Sequence, residues 1–303
     1  MSNLKYSRIN EIPAGSASDT ITEGCLVLEG GAFRGLYTQG VLDAFMENDL
    51  NFRCTIGVSA GAMAGMNYVA GMIGRSARAN LSYRLNSNFI GFDSVKKAHS
   101  LINLDFLLKD YNSIELLNIR RFFNPERRFI AVATNCNNGD TLYFDRDYCG
   151  NIFDAIKASA SMPFVTPMVN VDGIPCLDGG SSCKIPYKWA IDHNFKSIIV
   201  IKTRENGFRK KVSDRNPAQK IYRRHQRFAA KLDDSPAAYN RQCDEIERLE
   251  KEGRIFVIAP SEKVTVSRVE GDMEKLGNLY WLGYNDGLKN LEALRNYLKE
   301  SEG

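Results

Sequence analysis

The sequence is poor in the residues that usually bind metals or cross-link secreted domains. It contains three histidines, and its seven cysteines, an odd number, include no Cys-x-x-Cys pair. Scattered thiols without His or Cys partners at ligand spacing are typical of reduced core residues. We therefore expect no metal site and a protein of a reducing compartment.

Long apolar runs are also missing. No stretch approaches the roughly 20 consecutive apolar residues that span a bilayer. Residues 1–24 are polar, include Lys5, Arg8 and Glu11, and lack the apolar segment of a secretory signal. We therefore expect these residues to form a flexible lead-in to a cytoplasmic protein.

Apolar residues make up 44% of the 303 residues, which is enough for a sizeable core. Strand-like runs alternate with helical patterns, as in a mainly parallel sheet that helices cover on both faces. The runs occupy residues 25–28, 52–56, 129–133, 197–201 and 255–259, and residues 141–144 add a short hairpin-like strand. The pattern predicts an α/β fold, a three-layer sandwich with a C-terminal helical extension.

A candidate nucleophile lies in the pentapeptide at residues 57–61, which reads Gly-Val-Ser-Ala-Gly. The pentapeptide follows the strand-like run at residues 52–56 and opens a helix of small residues. A serine at such a bend has its hydroxyl pushed outward on a strained turn, and Gly57 and Gly61 remove side chains that would collide. We therefore interpret Ser59 as a nucleophile that needs a base and an oxyanion site.

A glycine-rich turn at residues 29–35 follows the first strand-like run and precedes a helix predicted over residues 36–48. Glycines at the carboxyl end of a strand leave backbone N–H groups bare, and the helix adds the positive end of its dipole. Such a loop can hold an oxyanion or a phosphate. The alternative is a dinucleotide-binding turn. Against it, Ala32 replaces the middle glycine and the next strand does not end in an acidic residue.

An aspartate and two glycines, Asp178, Gly179 and Gly180, end a third apolar stretch, which starts near Val171. Paired glycines let the backbone fold tightly around a carboxylate, so Asp178 can face a cleft. Asp-Gly is also the commonest turn dipeptide, and residues 172–173 read as an ordinary hairpin turn.

Taken in order, these three segments resemble the patatin-like phospholipase family, which has a glycine-rich oxyanion loop, a Gly-x-Ser-x-Gly nucleophile and an Asp-Gly-Gly or Asp-Gly-Ala motif. Residues 158–163, which read Ala-Ser-Ala-Ser-Met-Pro, and residues 185–186, Ile-Pro, also resemble that family. The resemblance covers roughly residues 25–195. It implies a patatin-like fold, a lipid or acyl-ester substrate and no metal or organic cofactor.

The resemblance also implies roles for individual residues. Ser59 would be the nucleophile and Asp178 its general base, in a dyad without histidine. The oxyanion donors would be the backbone N–H groups of Gly30, Gly31 and Ala32, in a loop that extends to Arg34 and Gly35. Ala32 stands where family members usually have a third glycine.

Arg34 has two interpretations. Its guanidinium could bind a lipid phosphate, or it could brace the turn by donating to backbone carbonyls. Of the two, we expect bracing, so that loss of Arg34 would lower both stability and turnover.

A Ser-Asp-His triad is the alternative to the dyad, because His193 follows Asp178 in the order found in α/β-hydrolases. A helix predicted over residues 187–194 would rise about 1.5 Å per residue and move His193 some 10 Å from the turn. His99 and His225 have no catalytic neighbours in the sequence. The dyad is therefore the prediction.

We divide the chain into the lead-in at residues 1–24, a hydrolase core at residues 25–195 and a strand and helical extension at residues 196–303, packed on the core. An insertion at about residues 72–124 either caps the cleft with an apolar wall or packs on the sheet. Its clustered apolar residues are Leu101, Leu104, Phe106, Leu107 and Leu108.

Positive charge is concentrated between Lys202 and Lys231, where eleven Lys and Arg residues accompany two acidic ones in a chain with a total charge of +4. A helix predicted from Pro217 has an apolar and a basic face. The apolar face holds Ala218, Ile221, Tyr222, His225, Phe228 and Ala229. The basic face holds Lys220, Arg223, Arg224, Arg227 and Lys231. The segment either lies on an anionic membrane surface or packs on the core.

Nucleic acid is not an expected partner, because no aromatic stacking platform or recognition motif accompanies the charge. The main prediction is a lipid acyl hydrolase. The alternatives are a small-ester esterase or an acyltransferase that uses the same dyad, and a non-catalytic lipid-binding protein on the same scaffold. The sequence does not indicate an oligomeric state.

Overall fold

The computed structural model describes residues 5–84, 104–213 and 217–302. The strands in this part of the chain are β1 Gly15–Ser16, β2 Thr22–Leu28, β3 Phe52–Val58, β4 Met72–Ile73, β5 Arg128–Asn135, β6 Thr141–Asp145, β7 Val169–Val171, β8 Ile174–Asp178, β9 Ile198–Ile201 and β10 Phe256–Ile258. Six of them, β2, β3, β5, β6, β9 and β10, match the predicted strand-like runs to within a few residues at each end.

The central sheet has the strand order β10-β9-β2-β3-β5-β8-β7, and β6 also pairs with β5. The five strands from β10 to β5 are parallel to one another. Strands β6 and β8 pair antiparallel with β5, and β7 pairs antiparallel with β8 through the predicted turn at residues 172–173. The short strands β1 and β4 form a separate antiparallel pair.

The helices in the described ranges are α1 Gly35–Glu47, α2 Ala60–Val69, α3 Arg75–Tyr83, α4 Leu104–Leu108, α5 Ile119–Phe122, α6 Ile152–Ser159, α7 Tyr187–Asp192, α8 Pro217–Ile221, α9 Gln226–Lys251, α10 Met273–Lys289 and α11 Leu291–Glu302. None of them combines the length and the apolar character that crossing a bilayer requires.

Two apolar cores lie on opposite faces of the sheet. In β2, Leu26 and Leu28 belong to the first core, and Cys25 and Val27 belong to the second, as the two-residue period of a strand requires. Helices α1, α2, α6 and α10 contribute to the first core, and α7 and α9 contribute to the second. The predicted three-layer α/β sandwich with C-terminal helices is therefore confirmed. The proposed domain division at residue 195 stays a prediction.

The helix predicted from Pro217 is wrong as a single element, because α8 ends at Ile221 and α9 begins at Gln226. Ile221, expected on the packed face, is 63% exposed. Cations three and four residues apart repel one another in a helix. A continuous helix would bring Lys220, Arg223 and Arg224 together in this way, which disfavours it. The ring of His225 also bonds the Cys136 carbonyl at 2.8 Å, which fixes the chain in the turn between the two helices.

Helix α10 packs closely on α1. A Cβ at Gly40 would collide with the backbone of Tyr280, so only glycine permits this approach. The Tyr280 hydroxyl donates to Asp43 Oδ2 at 2.9 Å, and the Gly74 N–H donates to Asp43 Oδ1 at 2.8 Å. Burial nevertheless raises the pKa of Asp43 to about 7.

Candidate active site

Ser59 occupies the sharp turn between β3 and α2. Its φ is +56° and its ψ is −121°, a conformation that residues other than glycine rarely adopt. A Cβ at Gly57 would lie 2.6 Å from the backbone of Gly61, and a Cβ at Gly61 would lie 2.6 Å from the Leu28 carbonyl oxygen. The two glycines therefore permit a strained strand-to-helix turn of the kind that presents a nucleophile.

The side chains of Ser59 and Asp178 are in direct contact. Ser59 Oγ donates a hydrogen bond to Asp178 Oδ2 at 2.7 Å. The strand register explains this contact, because Val132 of β5 lies opposite Val58, and the next residue, Ala133, lies opposite Asp178. The carboxyl ends of β3 and β8 are thus neighbours along β5.

The carboxylate of Asp178 is buried and oriented. Its Oδ1 accepts a hydrogen bond from the Gly180 N–H at 2.7 Å, and its own N–H donates to the Ser161 carbonyl at 2.8 Å. Burial raises the pKa of Asp178, although the hydrogen bond from Ser59 and the charge of Lys184 act in the opposite direction. A buried carboxylate with a raised pKa is a stronger base than an exposed one.

The glycine-rich loop lies against the serine turn. A Cβ at Gly30 would lie 3.1 Å from Ser59 Cβ, and a Cβ at Gly35 would lie 2.7 Å from Ala60 Cβ. On its other side, a Cβ at Gly31 would lie 2.7 Å from Thr203 Oγ1. The small residues of the loop therefore allow its backbone to approach the nucleophile.

Of the three predicted oxyanion donors, Gly30 is wrong. Its N–H donates to the Lys184 carbonyl at 3.3 Å and is not directed at a substrate. The N–H groups of Gly31 and Ala32 donate to no acceptor among the described residues. Ala32 has a φ of +49°, so the residue that replaces the third glycine adopts a left-handed conformation at some cost in strain.

Two groups at this site are absent from the residues predicted from the sequence. The Ala60 N–H lies in the first turn of α2, where backbone donors have no intrahelical acceptor. The Ser159 hydroxyl accepts from the Ser59 N–H at 2.8 Å and donates to the Val132 carbonyl at 2.5 Å. A Cβ at position 179 would collide with this Val132 carbonyl, so the position requires Gly179. The position after the nucleophile and the Ala-Ser-Ala-Ser stretch were the signals that could have identified them.

An apolar cavity opens beside Ser59. Its lining includes Ala32, Phe33, Leu36, Met63, Leu104, Leu107 and Met162. Leu104 and Leu107 belong to α4 in the predicted insertion and provide an apolar wall, whereas Phe106 and Leu108 are buried in the first core. In the described part of the insertion, different side chains thus form the cavity wall and join the core. Leu101 lies outside the described residues.

The described histidines are distant from the serine. His193 stacks on Trp189 with 3.9 Å between ring centroids, and its Nδ1 lies 2.8 Å from the Trp189 carbonyl. It lines a different cavity together with Arg128 and Tyr143. His225 bonds the Cys136 carbonyl, and His99 lies outside the described residues. No histidine in the described part of the chain is therefore placed to complete a triad.

The bracing role expected for Arg34 is wrong. The residue is 6% exposed, yet its side chain donates no hydrogen bond to the described residues, and its Nε is buried without an acceptor. Burial lowers the pKa of Arg34 to about 10. The residue lines a second cavity next to the loop, together with other basic side chains.

The chain belongs to the patatin-like phospholipase family, whose model matches residues 26–191. This match contains both Ser59 and Asp178. A second family model, a domain of unknown function called DUF6363, matches residues 225–299, which include α9 and α10.

The chain is also similar to individual proteins. The uncharacterized protein YjjU of Escherichia coli (strain K12) is 33% identical over an alignment of 185 residues, and the alignment covers 59% of this chain and 51% of YjjU. The chain thus spans about half the length of this curated relative. The crystal structure of VipD from Legionella pneumophila superposes with a TM-score of 0.50 at 14% identity, over 92% of this chain and 68% of VipD. At this identity the likeness concerns the fold alone.

Metal-ligand geometry is absent from the described ranges. No three His, Cys, Asp or Glu side chains within residues 5–84, 104–213 and 217–302 converge to hold a metal ion. The groups that converge at the serine turn are a hydroxyl, a carboxylate and backbone N–H donors, which are the parts required for acyl transfer.

Proposed function

We propose that the protein is a serine hydrolase that cleaves acyl esters of lipids through a dyad of Ser59 and Asp178. The observation that supports it most is the 2.7 Å hydrogen bond from Ser59 Oγ to Asp178 Oδ2, made at a strained turn beside an apolar cavity. Membership of the patatin-like phospholipase family supports lipid acyl hydrolysis in general.

The reaction begins when Asp178 accepts the Ser59 proton as the hydroxyl oxygen attacks the ester carbonyl. The resulting tetrahedral oxyanion collapses, the alcohol leaves with a proton from Asp178, and the acyl group stays on Ser59. Water, deprotonated by Asp178, then hydrolyses this acyl-enzyme. The raised pKa of Asp178 helps both steps, because it makes the carboxylate a more effective proton acceptor.

The oxyanion is stabilised by backbone donors that have no other acceptor. We assign this role to the N–H groups of Gly31 and Ala32 on the loop and of Ala60 at the start of α2, which flank Ser59 from two sides. The positive end of the α2 dipole adds to their effect. Loss of one such donor costs roughly 3 kcal/mol of transition-state stabilisation.

The apolar cavity favours a lipid over a small ester. Its walls at Phe33, Leu36, Met63 and Leu107 offer hydrocarbon contacts to an acyl chain whose carbonyl lies at Ser59. An esterase for small substrates has no need of such walls. An acyltransferase would use the same intermediate and differ only in the acceptor, and a lipid-binding protein would need the cavity without the dyad.

Labelling with a fluorophosphonate tests the nucleophile, because this reagent modifies only an activated serine. We expect stoichiometric labelling of the full chain and none of Ser59→Ala. Ser113→Ala, which alters an exposed serine outside the cavity, is the matched control and should label like the wild type. Labelling that persists in Ser59→Ala would contradict the proposal. A second assay, release of fatty acids from phospholipid by the wild type, distinguishes a hydrolase from a protein that only binds lipid.

We propose in addition that the basic segment at residues 202–231 brings the cavity to an anionic membrane surface from the cytoplasmic side. Phe164 is 51% exposed and follows Met162, which lines the cavity, by two residues. Its N–H donates to the Tyr222 hydroxyl at 2.8 Å, and exposed Ile221 is the neighbour of that tyrosine. Apolar side chains surrounded by basic ones are suited to the headgroup region of a bilayer.

Vesicle sedimentation tests this contact. Binding to phosphatidylserine vesicles should weaken with salt and with reversal of Arg223, Arg224 and Arg227 to glutamate, since each basic residue near the surface contributes about 1 kcal/mol. Reversal of the exposed Lys251, Lys263 and Lys275 is a control of equal charge. Equal binding by both triple variants would exclude the contact.

A further inference from the structure

A second cavity, here called the cationic pocket, lies on the other side of the glycine-rich loop from the apolar cavity. Ala32 and Phe33 line the apolar cavity, whereas the next residue, Arg34, lines the cationic pocket. The loop is thus a wall shared by both cavities. The cationic pocket has a volume of about 300 Å³, and its basic lining consists of Arg34, Arg204, Lys210, Lys211 and Arg268.

The C-terminal part of the chain completes the cationic pocket. Arg268 lies within the region matched by the domain of unknown function and follows α9 and β10. Arg204 Nη1 donates to the Val264 carbonyl at 2.6 Å, which ties the segment after β9 to the loop that bears Arg268. Arg268 lines this pocket together with Arg34 of the loop, and its charge is among those that lower the pKa of Arg34.

Positive charge in the pocket exceeds the negative charge that faces it. Glu29, buried at the end of β2, opposes part of this charge, and its Oε2 accepts from the Thr203 N–H at 2.6 Å. The Lys210 ammonium lies 4.0 Å from the ring centroid of Tyr239. The buried Nε of Arg34 has no acceptor among the described residues. A buried cation such as Arg34 is costly without sufficient counter-charge, so a site of this kind is suited to an anion.

We propose that the cationic pocket binds a phosphate group, and that this phosphate belongs to the headgroup of the phospholipid whose ester lies at Ser59. The second part rests on the proposed function, whereas the first part does not. Guanidinium groups such as those of Arg34, Arg204 and Arg268 bind phosphate oxygens in pairs, and the Lys210 ammonium adds a point charge. The region of unknown function would then act in substrate selection.

The electrostatics of the lysines agree with an anion site. Burial, together with the charges of Lys184, Arg268 and Arg34, lowers the pKa of Lys210 to about 6. Burial likewise lowers the pKa of Lys184 to about 8. A bound phosphate would relieve this repulsion and favour the charged form of both lysines.

Titration calorimetry with inorganic phosphate tests the pocket without reference to catalysis. The full chain should bind phosphate saturably, and Lys210→Met and the exposed Arg268→Gln should each weaken binding about tenfold or more. Lys196→Met changes an exposed lysine before the start of β9 and is the matched control. Equal affinity in all four proteins, or no saturable binding by the wild type, would overturn the proposal. Because Arg268 is exposed, its variant is informative even if Lys210→Met folds poorly.

Hydrolysis of dioleoyl phosphatidic acid and dioleoylglycerol in the same neutral micelles identifies the source of the phosphate. For a headgroup site, Arg268→Gln should lower kcat/KM at least tenfold more for phosphatidic acid than for dioleoylglycerol, and inorganic phosphate should compete with phosphatidic acid alone. For a free phosphate that regulates the enzyme, inorganic phosphate should change turnover of both substrates. Phosphate binding without any hydrolysis would support the pocket and contradict the proposed function.

Discussion

The two cavities beside Ser59 differ in both chemistry and origin. The apolar cavity is lined by uncharged side chains from the glycine-rich loop, α1, α2 and the inserted α4. The cationic pocket is lined by arginines and lysines, most of which follow β9 in the chain. One cavity therefore depends on the family core and its insertion, and the other depends on the C-terminal part of the chain.

This difference indicates how one scaffold can divide recognition of an amphipathic molecule. An acyl chain gains from apolar contact without direction, whereas a phosphate needs donors in fixed positions. The loop at residues 30–35 separates the two environments. Variation in the C-terminal region would then change headgroup preference while leaving the dyad and the acyl cavity intact.

The largest expected effect comes from Asp178→Asn, which should lower kcat about 10⁴-fold, as loss of the carboxylate from a catalytic array does. Asparagine keeps the shape but cannot accept the Ser59 proton. With wild type, kcat should rise with pH through the raised pKa of Asp178, because only the ionised carboxylate is a base. Initial rates on a short p-nitrophenyl ester between pH 4 and 8 measure both effects.

His193→Ala is the control for that experiment, because His193 stacks on Trp189 in a different cavity. Its rate and pH profile should match those of the wild type. A loss comparable to that of Asp178→Asn would restore the triad and contradict the dyad.

Asp43 links the two parts of the chain and should make stability depend on pH. The pKa of its carboxyl has the ordinary value near 3.8 in the unfolded chain, and burial raises this pKa to about 7 in the folded protein. The folded state thus binds a proton more tightly, so this contribution to stability is present below pH 4 and is lost as the pH rises to 7. The loss amounts to about 4 kcal/mol at most.

Urea denaturation of wild type and Asp43→Asn at pH 4 and 7 tests this link. The free energy of unfolding of the wild type should fall relative to that of the variant between the two values. Parallel pH dependence in both proteins would show that the carboxyl is not buried against Tyr280 and that α10 does not pack as described.

The contrast between the two cavities also explains what the sequence could predict. The contact between Ser59 and Asp178 was expected because each residue has a local sequence signal: it lies at the end of an apolar run and is flanked by glycines. Arg268 and Lys210 have no such marks, since they come together only when distant segments fold against the loop. The direction of the Gly30 N–H could not be foreseen either, because it depends on the remote carbonyl of Lys184.

The same reasoning applies to the helices. Helices α1 and α7 were predicted to within a few residues, because each follows a local start signal, the glycine-rich turn for α1 and Pro186 for α7. The period of apolar residues predicted one helix where α8 and α9 occur, because the contact of His225 with the Cys136 carbonyl is invisible in a local pattern. Long-range contacts, rather than local propensity, decide the remaining details.

A smaller effect is expected on the apolar side from Leu107→Trp. The indole would fill part of the cavity wall formed by α4 and should lower kcat/KM for long-chain esters roughly tenfold relative to butyrate esters. A ladder of p-nitrophenyl esters from four to sixteen carbons measures this preference. Leu116→Trp, at an exposed site after α4, is the control. If kcat/KM of Leu107→Trp depends on chain length as that of the wild type does, the acyl chain does not bind in this cavity.

The smallest effect concerns protons on the cationic side. Lys210 has a pKa of about 6 and is largely neutral at pH 7, facing Lys184, Arg34, Arg268, Glu29 and Tyr239. A bound dianion raises the pKa of Lys210, so binding should take up a fraction of a proton. Sulfate is the suitable probe because it does not titrate in this range. Calorimetry at pH 7 in buffers of different ionisation enthalpy measures the uptake, which Lys210→Met should reduce. If Lys210→Met takes up as much proton as the wild type when sulfate binds, the proton is bound by Lys184 and not by Lys210.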